Sequence, residues 1–169
     1  MPSEVVVFAE PQGKSANYII MVKEYSLKKD GETNLSEHFQ VKEFACKDNS
    51  DKILIDMDLI PILETIRNYF NAPTYIMSGY RTEEYNKKVA TSKESQHCLG
   101  KAVDIRVAGV SPISVALMCE YTLLKDKGGI GLYKGQGFTH IDTREKMTRW
   151  VQPSNSTSYR VVSKISLNL

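Results

Sequence analysis

Between residues 74 and 142 the chain carries four short strand-like runs, Thr74–Ser78, Lys101–Val107, Gly129–Tyr133 and Gly137–Asp142, and their spacing limits the folds open to it. The last two are joined by Lys134-Gly-Gln136, a turn-forming tripeptide, and so read as a hairpin. In Lys101–Val107 the residues alternate. Ala102, Asp104 and Arg106 fall on one face and Val103, Ile105 and Val107 on the other, so Asp104 points away from the aliphatic side. Helical stretches are interposed unevenly between these runs. The pattern predicts an α+β fold, a mainly antiparallel sheet with flanking helices.

The helices are legible from periodicity and caps. Leu59, Ile62, Leu63, Ile66, Tyr69 and Phe70 recur at helical spacing after Asp58, an expected N-cap, and the helix should stop near Ala72-Pro73. Thr82-Glu-Glu-Tyr85 opens a short helix whose acidic residues suit its positive end. Ser111-Pro112 caps and starts another, with Val115, Met118, Cys119 and Tyr121–Leu124 as its buried side. Residues 1–34 hold two strand-like runs, Val5–Phe8 and Tyr18–Tyr25, with a turn at Lys29–Glu32, and read as a strand-rich arm. Residues 35–150 form the expected main domain. Residues 151–169 read as a C-terminal extension in which Pro153–Ser158 is a flexible connection and Tyr159–Leu169 can pair as an edge strand.

Two of the three histidines sit where the strands would bring them together. His97 precedes Asp104 by seven residues, and His140 lies in Phe138-Thr-His-Ile-Asp142. A catalytic zinc ion needs only three protein ligands of the His and carboxylate type, leaving one position for water. His97, Asp104 and His140 are the expected set. His38 has no second ligand at a useful spacing and reads as a core or surface residue. Cys98, next to His97, should face the other way if the segment is extended.

The flanking residues make the pattern specific. Ser78-Gly-Tyr-Arg-Thr82, then Ser95-x-His97-x-x-Gly100-x-Ala102-x-Asp104, then Gly129-Ile-Gly-Leu-Tyr133 and Phe138-Thr-His-Ile-Asp142, ending at Arg149-Trp150, resemble the zinc D-alanyl-D-alanine carboxypeptidase superfamily of peptidoglycan peptidases. The blocks occur in the expected order. Leu35-Ser-Glu-His-Phe-Gln-Val-Lys-Glu-Phe-Ala-Cys46 is similar to the N-terminal part of the phage and prophage cell-wall branch, so the resemblance covers about residues 35 to 150. It implies a hedgehog/DD-peptidase-like zinc peptidase fold, a bound Zn2+, and hydrolysis of amide bonds in the stem or cross-link peptides of peptidoglycan, as an endopeptidase or a D,D-carboxypeptidase.

The resemblance also assigns roles. In several branches a carboxylate three residues before the last histidine is the general base, and here that position is Gly137. Asp142, on the same strand face as His140, is the expected substitute as base; its other reading is a partner that orients His140 through the second ring nitrogen. Arg81 matches the family arginine near the substrate or the developing oxyanion, its structural alternative being a salt bridge to Glu83 or Glu84. Ser95 matches the serine before the first ligand and is the expected hydrogen-bond donor to a substrate carboxylate, or else a loop-capping hydroxyl. Tyr80, Tyr133 and Trp150 read as core aromatics. With Gly137 at the usual base position, a non-catalytic alternative stands beside the enzyme: a zinc-stabilised wall-binding or structural component of a phage particle. A secreted signalling domain on the related zinc fold would leave Ser78–Arg81 without a role.

Composition sets the remaining bounds. At 169 residues and 41% hydrophobic content the chain can bury one core. A net charge of +2 gives no argument for nucleic acid, and a monomer is expected. Cys46, Cys98 and Cys119 form no Cys-x-x-Cys pair, which argues against a zinc ribbon or a disulfide scaffold. No apolar stretch is long enough to span a bilayer. Glu4-Val-Val-Val-Phe-Ala9 lacks a basic start and a small-residue cleavage site, so no signal peptide is read. The expectation is a chain made in the cytoplasm that reaches the wall by phage-type release or as part of a phage particle, a possible partner.

Overall fold

In the computed structural model, which describes residues 22–90, 94–154, 156 and 158–169, the strand-like runs become parts of two sheets. β1 (Val22–Ser26) pairs antiparallel with β2 (Lys52–Asp56), and between them lie the single-turn helix α1 (Leu27–Asp30) and a 3₁₀ turn at Val41–Phe44. Then follow α2 (Leu59–Phe70), β3 (Thr74–Ser78), α3 (Glu83–Val89), β4 (Ala102–Val107), α4 (Pro112–Met118), β5 (Gly129–Tyr133), β6 (Phe138–Asp142), β7 (Thr148–Gln152) and β8 (Arg160–Val162). The large sheet has the order β3-β4-β6-β5-β7-β8. All its neighbours are antiparallel except β5 and β7, which run parallel. The fold is α+β with an antiparallel-dominated sheet and flanking helices.

Strand alternation divides the large sheet into two faces. Val103, Ile105, Ile130, Leu132, Ile141 and Val151 are buried together with Leu59, Leu63 and Ile66 of α2 and Val115 and Ala116 of α4. Each buried Val, Leu or Ile in this set contributes about 1.5–3 kcal/mol of burial free energy, which holds the register of the whole sheet. The opposite face carries the polar set. Asp104 is directly across from His140, and Ala102 from Asp142. A register shift between Ile76 and Ser78 turns Ser78 onto the Asp104 face, while Ile76 stays opposite Ile105.

Several local expectations change. Asp58 stands at the N-cap position of α2, but its side chain makes no capping bond; its own N–H is instead held by Asp56 Oδ1 at 3.1 Å. Thr82 and Ser111 do cap, accepting from Tyr85 N and Ser114 N. Past Met118 the helix widens into a π turn, Cys119–Leu123, which shifts the 3.6-residue register. Tyr121, expected on the buried side, is 57% exposed as a result, and Glu120 is buried in its place. The expected boundaries at residues 34/35 and 150/151 do not coincide with breaks in packing. Val22 and Tyr25 of β1 and Ile165 near the C-terminus belong to the same core, and β7 runs across residue 150. β8 pairs antiparallel with β7 at the sheet edge. The Val5–Phe8 run and the first part of Tyr18–Tyr25 lie outside the described residues.

Candidate metal centre

His97 is placed by two sequence blocks acting in relay. It lies in a turn, with Leu99 N bonded to Gln96 O and Gly100 N to His97 O, and not in a strand as its apolar neighbours suggest. Its Nδ1 is 2.7 Å from the carbonyl oxygen of Gly79. Gly79 in turn packs so tightly on the 3₁₀ turn that a Cβ would stand 2.6 Å from Phe44 Cα, and Tyr80 N donates to Phe44 O at 2.8 Å. Only glycine allows that approach. The segment carrying Phe39, Val41 and Phe44 thus supports the Ser78–Arg81 block, which orients His97.

Asp104 on β4 and His140 on β6 meet across the strand pair. His140 Nδ1 is 2.9 Å from Asp104 Oδ1 and 3.2 Å from His97 Nε2, and His97 Nε2 is 3.4 Å from Asp104 Oδ1. The three side chains are buried, His97 to 3% exposure, and their ligand atoms lie within 4.8 Å of one another.

The tautomers decide what such a cluster wants. Gly79 O can only accept, so His97 Nδ1 must donate, which leaves a lone pair on Nε2 of the neutral ring. Asp142 Oδ2, 3.0 Å from His140 Nε2, also accepts, leaving the lone pair of neutral His140 on Nδ1. With both rings neutral, the two lone pairs and Asp104 Oδ1 converge on one point. Three converging donor atoms in a buried cluster can hold a cation, and an N₂O donor set of two imidazoles and one carboxylate suits a first-row metal such as zinc.

The charges of the three groups are coupled. Burial works against ionisation of Asp104, yet His97 and His140 hold its carboxyl far below the usual carboxylate range. Burial lowers the His97 pKa, with Asp104 opposing. Burial also opposes protonation of His140, but hydrogen bonds to Asp104 and Asp142 outweigh it, so its pKa is raised.

Asp142 does not face the cavity. It is 0% exposed, on the far ring nitrogen of His140, and both oxygens are taken. Oδ1 accepts from Gly129 N at 2.9 Å and Arg144 Nε at 2.8 Å, and Oδ2 accepts from Arg144 Nη2 at 2.6 Å. Despite its burial, His140 and Arg144 keep this carboxyl well below its ordinary range. A general base needs reach to a substrate proton, and this geometry gives Asp142 none.

Arg81 has neither Glu83 nor Glu84 as partner. Its Nη2 donates to Asp104 Oδ2 at 2.6 Å and its Nε to Ser78 Oγ at 2.9 Å. A cavity of about 300 Å³ opens beside Asp104, lined among others by Arg81, Ser78 and Arg106. Gly137, between the lining residues Gln136 and Phe138, has φ +72°, a left-handed turn conformation that favours glycine. Ser95 does not line this cavity; its carbonyl accepts from Cys98 N in the turn and its hydroxyl bonds the Cys98 thiol. Cys98 is outside the metal-ligand cluster, and His38 binds Glu64 at 2.8 Å on another part of the molecule.

The sequence reading missed Arg144 and underrated Trp150. Trp150 packs on the His140 ring at 4.9 Å between centroids, Arg144 covers its indole at 5.6 Å, and its Nε1 donates to Tyr133 Oη at 3.1 Å. The spacing Asp142-x-Arg144 beside a candidate ligand histidine was the available signal.

Comparison with known proteins agrees with the site. The sequence profile of the Peptidase M15 family matches residues 37–142, the span that holds the 3₁₀ turn and all three clustered residues. The probable peptidoglycan L,D-endopeptidase MepK of Haemophilus influenzae is 36% identical over 78 residues, 43% of this chain and 40% of that protein. Peptidoglycan L,D-endopeptidase MepK of Escherichia coli K12 is 30% identical over 76 residues, 42% of this chain and 40% of the relative. The matched segment thus spans well under half of each relative. No solved structure gives a significant match. A family profile that matches from the buttress of His97 through His140 to Asp142, over more than half of the sequence, means that the chain belongs to the Peptidase M15 family.

Proposed function

We propose that the chain is a zinc-dependent peptidase that hydrolyses amide bonds in the stem or cross-link peptides of bacterial peptidoglycan. The observation that carries this reading is the convergence of two imidazole lone pairs and one carboxylate oxygen in a buried site beside an open cavity. His97 Nε2, Asp104 Oδ1 and His140 Nδ1 are the proposed ligands. Zinc held there would polarise the scissile carbonyl and bring its bound water to a pKa of about 7.

The chain's own residues supply the rest. Asp142 fixes the His140 tautomer and ring angle, with Arg144 securing Asp142 in place, which makes it a positioning residue in this proposal and not the base. Arg81 holds the outer oxygen of Asp104 and faces the cavity, where its guanidinium can orient a substrate oxygen. Trp150 packs against His140 and shields the ring from water. Ser95 acts in the turn that carries His97.

Two relatives named as peptidoglycan L,D-endopeptidases favour cross-link cleavage over release of a terminal residue. The bacterial cell wall is the proposed place of action, and the Leu35–Cys46 block supports a phage or prophage origin. The test is mass spectrometry of purified peptidoglycan incubated with zinc-loaded protein, with a chelated control. New amino and carboxyl termini that vanish on chelation are expected. Intact peptidoglycan from several wall types, recovered with zinc-loaded protein bound to it, would favour the wall-binding alternative.

A further inference from the structure

The cavity beside Asp104 is cationic. Lys47, Arg81 and Arg106 line it, and Asp104 is the one carboxylate among its lining residues. That carboxylate is already committed to Arg81 and the histidines. Arg106 has no ion-pair partner among the described residues. Its Nε donates to Gly137 O at 3.1 Å and its Nη2 to Gln136 O at 2.5 Å, so two backbone carbonyls fix the guanidinium at the cavity wall. Arg81 is held in the same manner, by Nε on Ser78 and Nη2 on Asp104. In each arginine the Nη1 group has no partner among the described residues. A pre-oriented fork with a free donor is built to receive an oxyanion.

Gly137 contributes by what it lacks. A Cβ at this position would meet nothing closer than Arg106 Nη2, at 3.8 Å. Any side chain at this position would start beside the Arg106 guanidinium. With glycine the cation stays available.

We infer that Arg106, together with Arg81, forms a subsite for a free substrate carboxylate, the one borne by the carbon that carries the leaving nitrogen. This rests on the peptidase reading above. Arg106 follows Asp104 by two residues on the same strand face, about 7 Å along β4. That places it one residue's reach from a carbonyl held at the metal ligands, and on the leaving side only the nitrogen and one carbon separate the scissile carbonyl from such a carboxylate. Two substrates offer it: a stem peptide with a free C-terminal residue, and a cross-link whose leaving nitrogen belongs to a diamino acid with a free carboxylate at the same carbon.

The experiment uses three synthetic substrates and the zinc-loaded full chain: a stem pentapeptide with a free C-terminus, a cross-linked dimer with the leaving-side carboxylate free, and the same dimer amidated there. kcat and KM are measured for wild type, Arg106→Gln and Arg106→Lys, and calorimetry follows binding of the carboxylate-bearing amine product. Wild type should prefer the free to the amidated dimer by about tenfold to hundredfold, chiefly through KM, and Arg106→Gln should reduce that ratio to near one. Lysine should restore part of it. A ratio measured within one preparation does not depend on the folded fraction. Cleavage of the pentapeptide with the same Arg106 dependence identifies the terminal carboxylate as the natural source; dependence confined to the dimer identifies the cross-link. Equal cleavage of free and amidated dimers, or full preference retained in Arg106→Gln, overturns the inference and leaves the peptidase standing. If none of the three is cleaved the peptidase reading fails, and calorimetry still decides the subsite, product affinity falling about tenfold in Arg106→Gln or not at all.

Discussion

Two arginine–carboxylate pairs, one on each face of the large sheet, have opposite uses. Arg149, 1% exposed on the apolar face of β7, bonds Glu120 of the π turn and the carbonyl oxygens of Leu124, Gly128 and Thr148. Arg144, just beyond β6, bonds Asp142, which holds the Nε2 side of His140. The first network ends in backbone carbonyls at the end of the π turn, in the loop before β5 and at the start of β7, so its work is structural. The second ends at His140 Nδ1, which meets Asp104 and His97 in the candidate metal cluster. A buried charge is therefore no sign of function by itself. What distinguishes the two is whether the chain of hydrogen bonds closes on the protein or stops at an atom that needs a ligand.

The comparison can be broken at either pair. Arg149→Met leaves Glu120 buried without its cation, so it should destabilise the chain by about 3–5 kcal/mol in denaturant titration while metal bound per folded molecule stays the same. Chelation of the wild type should remove the stabilisation that metal gives the folded state, about 4 kcal/mol at a thousandfold excess over Kd, read as a drop in Tm; His140→Ala should show no chelator-dependent shift. Asp142→Asn keeps the shape of the side chain but weakens its hold on His140. Zinc affinity should fall about 10–100-fold in competition with a chromogenic chelator. If Asp142 were instead the base, zinc affinity would be unchanged and kcat alone would collapse. Ile105→Val, on the apolar face directly behind Asp104, gives the smallest effect: about 0.5–1.5 kcal/mol of stability, with zinc affinity unaltered.

Much of this was legible in local pattern. The alternation in Lys101–Val107 separated Asp104 and Arg106 from the aliphatic side, and the caps at Thr82 and Ser111 start the helices where the structure has them. What escaped was non-local. The parallel pairing of β5 with β7 has no signature in either strand, because it depends on where the chain returns after the hairpin. The π turn hides in an ordinary helical run, since its extra residue is retained through the Glu120–Arg149 contact. At the site, residue types pointed to His97, Asp104 and His140, but which nitrogen of each ring faces inward depends on Gly79 O and Asp142, and a backbone carbonyl leaves no mark in a sequence. The strand face that Asp142 shares with His140 fits a base and an orienting partner alike; its burial and its bonds to Arg144 favour the partner.

Native mass spectrometry of the purified chain is the most direct test of the central claim, that His97, Asp104 and His140 together hold a metal ion. The wild type should retain one zinc ion per chain, lose it to a strong chelator, and regain it on addition of zinc, whereas His140→Ala, folded by circular dichroism, should carry none. A wild type that takes up no metal under these conditions, or a His140→Ala variant that keeps its zinc, would contradict it.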